Sequence, residues 1–535
     1  MPCLCFILRV LFGGREGLCF ITYLLILWYM FVAISSASCV VQKREMGIFD
    51  VLDDFLGLLT RKLGSENVLI SANEIAPYLV EPRGIFKGQA VAVVRPASTE
   101  EVSEVVKLAY SFGVPIVPQG GNTGLVGGQI PDASGTEMII LLERLDKIRE
   151  LDVNAGTITV EAGVPLNVLR KLAISAGKCF PLSLSSNCSI GGNIASNAGG
   201  SSVLARGNIR DLVSGLEVVL ADGRLWKGLT KLGRYGTCFD LKQLFIGTEG
   251  LFGVITAATL DLLPAPDCVV TALCAISSPS MAVRFFEYLH LRLRGKLVSF
   301  ELLPRFALEL VRSHISGSWD PVLGNHLWYI LLEVASYADV GCNGHNDVLS
   351  RGGEAVCWEQ HQLRCGLDYA YSTGIILDSI VAFSPSERAA IWRVREFIPE
   401  AQSRFGGSIK HDVLLPISNI PRLILDACEQ VERIIPGVNP VIFGHLGNGN
   451  IHLNFSQPKN MDRSSFLSYR NALNDTIHDL VFSLGGSVFA EHGVGRAKRD
   501  LFCRTSQPVE LEMMRAFKKV VDPKNLMNPG KMFSL

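Results

Sequence analysis

Residues 90–121 read AVAVVRPASTEEVSEVVKLAYSFGVPIVPQGG, and this stretch decides the fold. The apolar run Ala90–Val94 ends at a proline and predicts a strand. A helix is predicted to begin near Ser98 or Thr99, because a hydroxyl residue followed by two glutamates is typical of a helix start. A second strand, Pro115–Pro118, then leads into glycines. The order strand, helix, strand predicts parallel pairing, and therefore mixed helix and sheet layers.

The remaining pattern divides the chain into two α+β domains. An N-terminal helical segment, 46–86, precedes a first domain over 87–266, which closes at the proline-rich sequence LPAP. A second domain, 267–535, is predicted as one sheet covered by helices, and Pro508–Val521 is predicted as a helix. Further strands are predicted at Met138–Leu142, Thr157–Ala162, Leu216–Ala221, Gly253–Leu260 and His326–Ala335, and further helices at Pro279–Gly295 and Pro385–Glu400.

Composition excludes several classes of protein. The 535 residues carry 50 Lys+Arg against 51 Asp+Glu, so the net charge of -1 provides no electrostatic footprint for nucleic acid. Hydrophobic residues make up 48 % and charged residues 19 %, which indicates a folded chain with a large core. All 10 histidines lie at or beyond His290. Any imidazole chemistry must therefore come from the second half.

Residues 1–45 form an apolar leader with three interpretations. The uncharged run 18–42 is long enough for a membrane anchor, and SAS at 36–38 has the small residues of a signal-peptidase site. Alternatively the leader is an artefact of an upstream start codon, with Met46 as the true start. The last interpretation predicts a cytoplasmic protein, the first two predict membrane association, and a eukaryotic source would favour a mitochondrial location.

Two glycine-rich segments are candidate anion-binding loops. Gln119–Gly124 follows a predicted strand, and residues 190–200 contain IGGN and NAGG. Glycine lets successive backbone N–H groups point to one side, which suits a pyrophosphate. The alternative is a pair of tight turns in a compact sheet. Neither segment has the G-x-G-x-x-G pattern opening a helix, so a Rossmann NAD site is disfavoured.

The sequences VPQGGNTGLVGG, IGGNIASNAGG, LVSGLEVVLADG and FDLKQLFIGTEGLFGVIT occur in this order. Together they resemble the FAD-binding domain of the vanillyl-alcohol oxidase/p-cresol methylhydroxylase (PCMH) superfamily, from about residue 87 to 533. The resemblance implies FAD between two subdomains, followed by a substrate (cap) domain. The FAD is expected to be non-covalent, because the first domain has no histidine. The implied FAD contacts are Gln119, Gly120, Gly121, Asn122, Thr123, Gly124, Gly191, Gly192, Asn193, Asn197, Gly199, Gly200 and Gly250.

A second constellation lies near the C-terminus. His445 and His452 are seven residues apart, and Glu491 and His492 follow in AEHGVG. Two histidines and one carboxylate are a common ligand set for catalytic Zn²⁺ with an open position. The alternative is three hydrogen-bonded core histidines beside a glycine-rich turn.

These motifs, H-x-G-x-G-N-x-H-x-N and E-H-G-x-G, are similar to those of FAD-linked D-2-hydroxyacid dehydrogenases. The resemblance implies His445, His452 and Glu491 as ligands of Zn²⁺ or another divalent metal. It implies Asn454 and His492 as substrate contacts, with His492 as general base. Two cations complete the implied set and would bind substrate carboxylates: Arg395 and Lys410.

The resemblance implies oxidation of a D-2-hydroxy acid to the 2-oxo acid, most similar to enzymes that act on D-2-hydroxyglutarate. The expected partners are a small 2-hydroxy acid and an unidentified electron acceptor; a homo-oligomer stays open. One alternative is a D-lactate or glycolate dehydrogenase. Another is a catalytically weakened FAD-binding protein, because the chain departs from the family pattern at 185–189, 205–206 and 236–239.

Overall fold

The computed structural model describes residues 48–184, 187–232, 239–317, 324–336, 358–382 and 384–535. The leader 1–45 and parts of two departures from the family pattern, 185–186 and 236–238, lie outside the described residues. The described residues 48–58 belong to one compact unit, and the described residues from 59 onward belong to a second. Among the described helices, none combines the length and the apolar character needed to cross a membrane.

The first part of the chain forms two main sheets, in the strand orders β1-β2-β4-β3 and β5-β6-β10-β8-β9, with β7 and β11 as a separate pair. Its strands are β1 Val68–Leu69, β2 Ala92–Val94, β3 Ile116–Gln119, β4 Met138–Leu141, β5 Ile148–Asp152, β6 Thr157–Glu161, β7 Lys178–Cys179, β8 Val213–Val219, β9 Leu225–Gly228, β10 Val254–Asp261 and β11 Leu263–Pro264. Its helices are α1 Ile48–Leu63, α2 Ala72–Ile75, α3 Thr99–Phe112, α4 Leu166–Ser175, α5 Ile190–Ala195, α6 Val203–Arg206 and α7 Ile209–Leu212.

The βαβ unit predicted from residues 90–121 is present. The Ser98 side chain accepts the backbone N–H of Glu101 and caps α3, which ends at Gly113 with φ 72°. Strands β2 and β3 are parallel but do not pair with each other, because β4 lies between them and pairs with both. The glycine-rich segment Gln119–Gly124 therefore begins at the carboxyl end of an edge strand.

The second part has two sheets rather than the single sheet predicted: β13-β14-β12-β15 and β16-β18-β17. An isolated bridge between Leu302 and Gly444 connects them. The strands are β12 Cys268–Ile276, β13 Leu297–Pro304, β14 Trp328–Ser336, β15 Asp378–Val381, β16 Ser408–Leu414, β17 Asn439–Phe443 and β18 Asn450–Ser456. The helices are α8 Pro279–Leu293, α9 Arg305–His314, α10 Trp358–Ser372, α11 Pro385–Glu396, α12 Ile398–Phe405, α13 Ile420–Ile434, α14 Arg463–Ser468, α15 Arg470–Ser483, α16 Arg499–Thr505 and α17 Pro508–Val521.

The single helix predicted over Pro385–Glu400 is wrong. Two helices, α11 and α12, meet at Phe397, and Pro399 lies in the first turn of α12. Proline lacks a backbone N–H and its ring crowds the preceding turn, so it is tolerated at a helix start and not in the middle. The periodic pattern runs across the break because both helices bury one face against the same core.

The last described segment returns to the first domain. The backbone of Ile116 in β3 bonds to Leu526 O and Asn528 N, each at 2.7 Å. Lys531 reaches Glu137, with Nζ 3.2 Å from Oε1, and both side chains are buried. Residues 526–531 therefore cover the edge of the sheet that carries Gln119–Gly124.

Candidate functional site

A cleft in the first domain brings the two glycine-rich segments together. One wall is the segment after β3, and the opposite wall is α5, whose N-terminus is capped by Ser189. Most of the predicted FAD contacts line this cleft: Gln119, Gly120, Gly121, Asn122, Thr123, Gly124, Gly191, Gly192, Asn193 and Gly250.

The two walls approach each other so closely that side chains are excluded. A Cβ on Gly120 would lie 2.2 Å from Ser189 Oγ, and one on Gly121 would lie 2.2 Å from Asn187 O. Both distances are far below van der Waals contact. Glycine at these positions is therefore required by packing, and it leaves backbone groups accessible at the cleft.

Two buried polar atoms in the cleft wall have no hydrogen-bond partner among the described residues: Gln119 Oε1 and Asn193 Nδ2. Both residues line the cleft and are at most 3 % exposed. Buried polar groups in proteins are nearly always hydrogen-bonded, so unpaired ones point to a missing ligand or water. An acceptor and a donor on facing walls fit a polar, elongated ligand such as a dinucleotide.

Three predicted FAD contacts do not line the cleft. Asn197 has φ 49° and its side chain accepts the backbone N–H of Arg210. A Cβ on Gly199 would contact Val203 and Asn208, and Gly200 packs against the backbone of Ser183. These residues lie in the turn that supports α5, so their direct contact with FAD stays a prediction.

In the second part of the chain, one face of the sheet β16-β18-β17 gathers polar side chains. Lys410 pairs with Asn454, and Asp412 pairs with His452, across neighbouring strands. Residues two apart on a strand point to the same face, so these four side chains share one face. His445 lies two residues beyond the end of β17 and approaches the same group of side chains through Glu491.

Glu491 lies at the centre of the histidines. Its Oε1 is 3.4 Å from His452 Nε2 and its Oε2 is 3.6 Å from His445 Nε2. His492 Nε2 is 3.6 Å from Oε1 of the same carboxylate. A tetrahedral ion with bonds of about 2.0–2.1 Å holds its ligand atoms about 3.3 Å apart. Two separations in the predicted ligand set therefore approach this value, but His445 is not among the residues whose ligand atoms all lie within 4.8 Å of one another, so a metal on the predicted set stays a prediction.

Sequence reasoning missed Asp412, which belongs to the same cluster. One potential ligand atom from each of Asp412, His452, Glu491 and His492 lies within 4.8 Å of the other three. Asp412 also accepts the backbone N–H groups of Glu491, at 3.0 Å, and His492, at 3.1 Å, and lies 3.1 Å from His492 Nδ1. The strand period could have found it, because it lies two residues after Lys410.

Sequence reasoning also missed Glu301, a lone acidic residue in the apolar strand β13. Its side chain is fully buried, and its two oxygens contact His445 Nδ1 at 2.5 Å and Arg395 Nε at 2.8 Å. Arg395 also stacks over the Phe443 ring at 4.8 Å. One carboxylate therefore orients both a predicted metal ligand and a predicted substrate-binding cation.

The charges in this cluster depend strongly on each other. Burial alone would raise the pKa values of Glu301 and Glu491, but the neighbouring cationic groups lower both to about 2. Burial opposes the charge on His445, yet Glu301 and Glu491 raise its pKa to about 9. Burial lowers the pKa of His492. The carboxylates of Glu301, Asp412 and Glu491 thus favour positively charged groups in the cluster. His492, in contrast, favours its neutral form, which can accept a proton.

Lys410 and Asn454 differ in their surroundings. Asn454 is 4 % exposed and donates to Gln402 Oε1 at 3.1 Å. The Lys410 side chain is open to solvent and has no hydrogen bond or ion pair with any described residue. Even so, partial desolvation lowers the pKa of its ammonium group, and repulsion by Arg83 adds to the effect. Lys410 is therefore a cation without a counter-ion beside the cluster.

His492 connects the two constellations, because it belongs to the cluster and also lines the cleft of the first domain. This alters the argument for non-covalent FAD, since a histidine from the second domain does reach the cleft. Both ring nitrogens of His492 face carboxylates, Asp412 and Glu491. Non-covalent binding of FAD therefore stays a prediction. It now depends on His492 keeping its contacts with Asp412 and Glu491, which leave neither ring nitrogen for a bond to the flavin.

Two family descriptions match the chain. Residues 265–532 match "FAD linked oxidases, C-terminal domain", and residues 90–228 match "FAD binding domain". The matched ranges correspond to the two parts described above. They confirm the predicted α+β fold class of a PCMH-type FAD-binding domain followed by an FAD-linked oxidase domain.

Relatives named as D-2-hydroxyglutarate dehydrogenases match more than four fifths of the chain. The D-2-hydroxyglutarate dehydrogenase of Xanthomonas citri pv. viticola is 33% identical over 445 residues, which cover 83% of this chain and 89% of that protein. The mitochondrial D-2-hydroxyglutarate dehydrogenase of Bos taurus is 33% identical over 485 residues, covering 90% and 84%. The resemblance stated from the motifs is thereby confirmed.

Solved structures share the architecture at lower identity. A crystal structure of p-cresol methylhydroxylase with substrate bound matches with a TM-score of 0.67 and 17% identity, covering 90% of this chain and 97% of that one. An alkyldihydroxyacetonephosphate synthase matches with a TM-score of 0.66 and 16% identity, covering 89% and 84%. At such identities the likeness shows the fold alone.

Proposed function

The chain belongs to the FAD-linked oxidase family that includes the D-2-hydroxyglutarate dehydrogenases, and on this premise we propose that it oxidises D-2-hydroxyglutarate to 2-oxoglutarate. The observation that carries the proposal is His492, which lies both on the FAD cleft and in the cluster of histidines and carboxylates. A substrate held at that cluster would face the cofactor.

The cofactors supply the chemistry that side chains lack. Gln119–Gly124 and the α5 segment would hold FAD, which would supply a hydride acceptor for the substrate Cα. His445, His452 and Glu491 would hold a divalent metal, which would supply a Lewis acid that lowers the pKa of the substrate hydroxyl. The unpaired atoms of the cleft and the ligand separations around Glu491 support these assignments.

His492 is the proposed general base. Burial keeps its pKa low, so the ring is neutral and accepts the hydroxyl proton at Nε2. Asp412, 3.1 Å from Nδ1, fixes the ring orientation and stabilises the imidazolium that forms. The arrangement resembles other carboxylate–histidine pairs, in which the carboxylate orients the base and does not itself take the proton.

The two cations are proposed to bind the substrate carboxylates. Arg395 shares its charge with Glu301, which holds the guanidinium near His445 and thus near the reacting end. Lys410 has no anionic partner among the described residues and lies on the same sheet face as Asn454. We assign Arg395 to the C1 carboxylate and Lys410 to the distal carboxylate.

The decisive experiment is anaerobic reduction of the purified holoprotein by a panel of D- and L-2-hydroxy acids, followed by loss of the oxidised-flavin absorbance. Bleaching by D-2-hydroxyglutarate at lower concentration than by D-lactate or glycolate supports the proposal. A preference for D-lactate would assign a monocarboxylate dehydrogenase. Flavin that no 2-hydroxy acid bleaches would leave a weakened FAD-binding protein.

The metal is tested separately. His445→Ala, His452→Ala and Glu491→Ala should abolish turnover and retain FAD, because the cluster and the glycine-rich loops belong to different parts of the chain. A chelator should reproduce the loss and Zn²⁺ should reverse it. The matched control is His411→Gln, since His411 lies on the opposite face of β16 and bonds Leu453 O and Asn474. Full activity in metal-free protein would refute this part of the proposal.

A further inference from the structure

The segment that carries Glu491 and His492 is held from both sides. Asp412, in the second domain, accepts the N–H groups of Glu491 and His492. Glu249, in the first domain, accepts the N–H of Val494 at 2.7 Å and that of Gly495 at 2.8 Å through Oε2 and 3.1 Å through Oε1. Two carboxylates from different domains therefore bind one five-residue loop.

Glu249 itself is fixed to the walls of the FAD cleft. Its backbone N–H donates to Ala195 O at the end of α5, at 2.8 Å. Its carbonyl accepts Asn528 Nδ2 at 2.7 Å, and the same amide donates to Gly128 O at 2.9 Å. Its φ of 52° is left-handed, which is unfavourable for a residue other than glycine. Such backbone strain is found mainly where function requires it.

The space around the Glu249 carboxylate fits that group closely. A Cβ on Gly128 would lie 2.8 Å from Oε2, and one on Gly493 would lie 2.6 Å from Oε1. Gly493 also has φ 85°, so the loop reaches Glu249 only with glycine there. The packing thus selects glycine on both sides of the carboxylate.

We propose that Glu249 is a positioning residue for hydride transfer: by holding Val494 and Gly495 it sets the His492 loop, and the substrate beside it, at reacting distance from the FAD cleft. The inference rests on the proposed function. FAD is bound by the first domain and the hydroxy acid by the second, so their separation depends on contacts between the domains. Reacting atoms must come within about 3–3.5 Å, and a misplacement of about 1 Å can cost about 100-fold in rate.

The test is Glu249→Gln, which keeps the size of the side chain but replaces one acceptor oxygen by a donor amide facing Gly495 N–H. Stopped-flow reduction should show a limiting rate lowered about 10- to 100-fold, with FAD content and substrate Kd unchanged. Hydrogen exchange of the 491–497 backbone, measured without substrate, should be faster in the variant. That second readout is independent of whether the substrate assignment is right.

Gly128→Ala provides a second perturbation that keeps Glu249 in the sequence but displaces its carboxylate, because the φ of Gly128 is ordinary and the nearest atom to the new methyl is Oε2. The Gly128→Ala variant should also reduce its flavin more slowly. If Glu249→Gln does not retain FAD, the reduction rate of Gly128→Ala tests the positioning role of Glu249 instead. Glu161→Gln is the matched control: Glu161 is also a buried glutamate of the first domain, but its carboxylate accepts the Lys147 backbone N–H and contacts Arg149 rather than the loop. Reduction rates within about twofold of wild type in both test variants, an equal loss in the control, or a change confined to Kd would overturn the proposal. Wild-type flavin that no hydroxy acid reduces would instead refute the proposed function.

Discussion

Replacing Lys410 by methionine should weaken the oxidation of D-2-hydroxyglutarate far more than that of D-lactate. Methionine preserves the length and apolar stem of lysine but removes the charge. The Lys410 ammonium has no counter-ion among the described residues, and desolvation and Arg83 already lower its pKa. A carboxylate bound there would relieve both unfavourable effects, so the interaction should be a strong one.

The expected magnitude follows from the type of contact. A hydrogen bond to a charged group contributes roughly 1.5–3 kcal/mol. At about 1.36 kcal/mol for each factor of ten, kcat/KM for D-2-hydroxyglutarate should fall about 10- to 150-fold. D-lactate has no distal carboxylate, so its kcat/KM should change by less than about threefold, within the small effect expected of a distant surface charge.

The assay compares kcat/KM for both substrates in wild type, Lys410→Met and the control Lys459→Met, an exposed lysine beyond β18. All three proteins should bind the same amount of FAD. Equal losses for both substrates would show that Lys410 serves the end of the molecule that they share. The dicarboxylate assignment would then be wrong, and a D-lactate dehydrogenase would be the better interpretation.

Three further predictions concern the cofactor, the metal and stability. Acid or heat should release FAD from the purified protein, and flavin that stays with the precipitated chain would indicate a covalent link, for example to His492 or Cys188. Glu301→Gln should weaken metal affinity about 10- to 100-fold in a chelator competition, as expected when a metal-ligating histidine loses its orienting carboxylate; unchanged affinity would refute a metal at His445. His411 has a pKa lowered to about 4 from 6.5 by burial. The folded state therefore excludes its proton, so stability present above pH 6.5 should be lost between pH 6.5 and 4, on the order of 3 kcal/mol. Urea unfolding at both pH values should show a smaller loss in His411→Gln.

The local hydrophobic pattern and the residues at element ends were sufficient to predict the positions of most individual helices and strands. The helix Pro508–Val521 has the predicted bounds, and the strand predicted over Met138–Leu142 is one residue shorter in the structure. These elements have a clear period and clear end signals. Sheet order could not be read in this way, because the insertion of β4 between β2 and β3 depends on pairing between residues far apart in the chain.

In the candidate site too, local motifs indicated some residues, and others became evident only from contacts between distant parts of the chain. His445, His452 and Glu491 were found because histidine and glutamate recur in two compact glycine-rich motifs. Glu301 is a single acidic residue in an apolar strand, and nothing nearby distinguishes it. Glu249 lies within the motif FDLKQLFIGTEGLFGVIT, but the motif does not indicate which groups its carboxylate binds. Their roles arise from partners more than 140 residues away, at 2.5 and 2.7 Å. Tertiary contact alone identifies such residues.

The return of residues 526–531 to the edge of β3 imposes an order on biosynthesis. Lys531 pairs with Glu137, 394 residues earlier in the chain. While a ribosome is still translating the second domain, the first sheet has an open edge, and the wall beside Gly128 and Glu249 lacks Asn528. We therefore expect the nascent first domain to acquire FAD only after residues 526–531 have left the ribosome. Stable flavin binding by a ribosome-bound chain that has emerged from the exit tunnel only as far as Val521 would contradict this expectation.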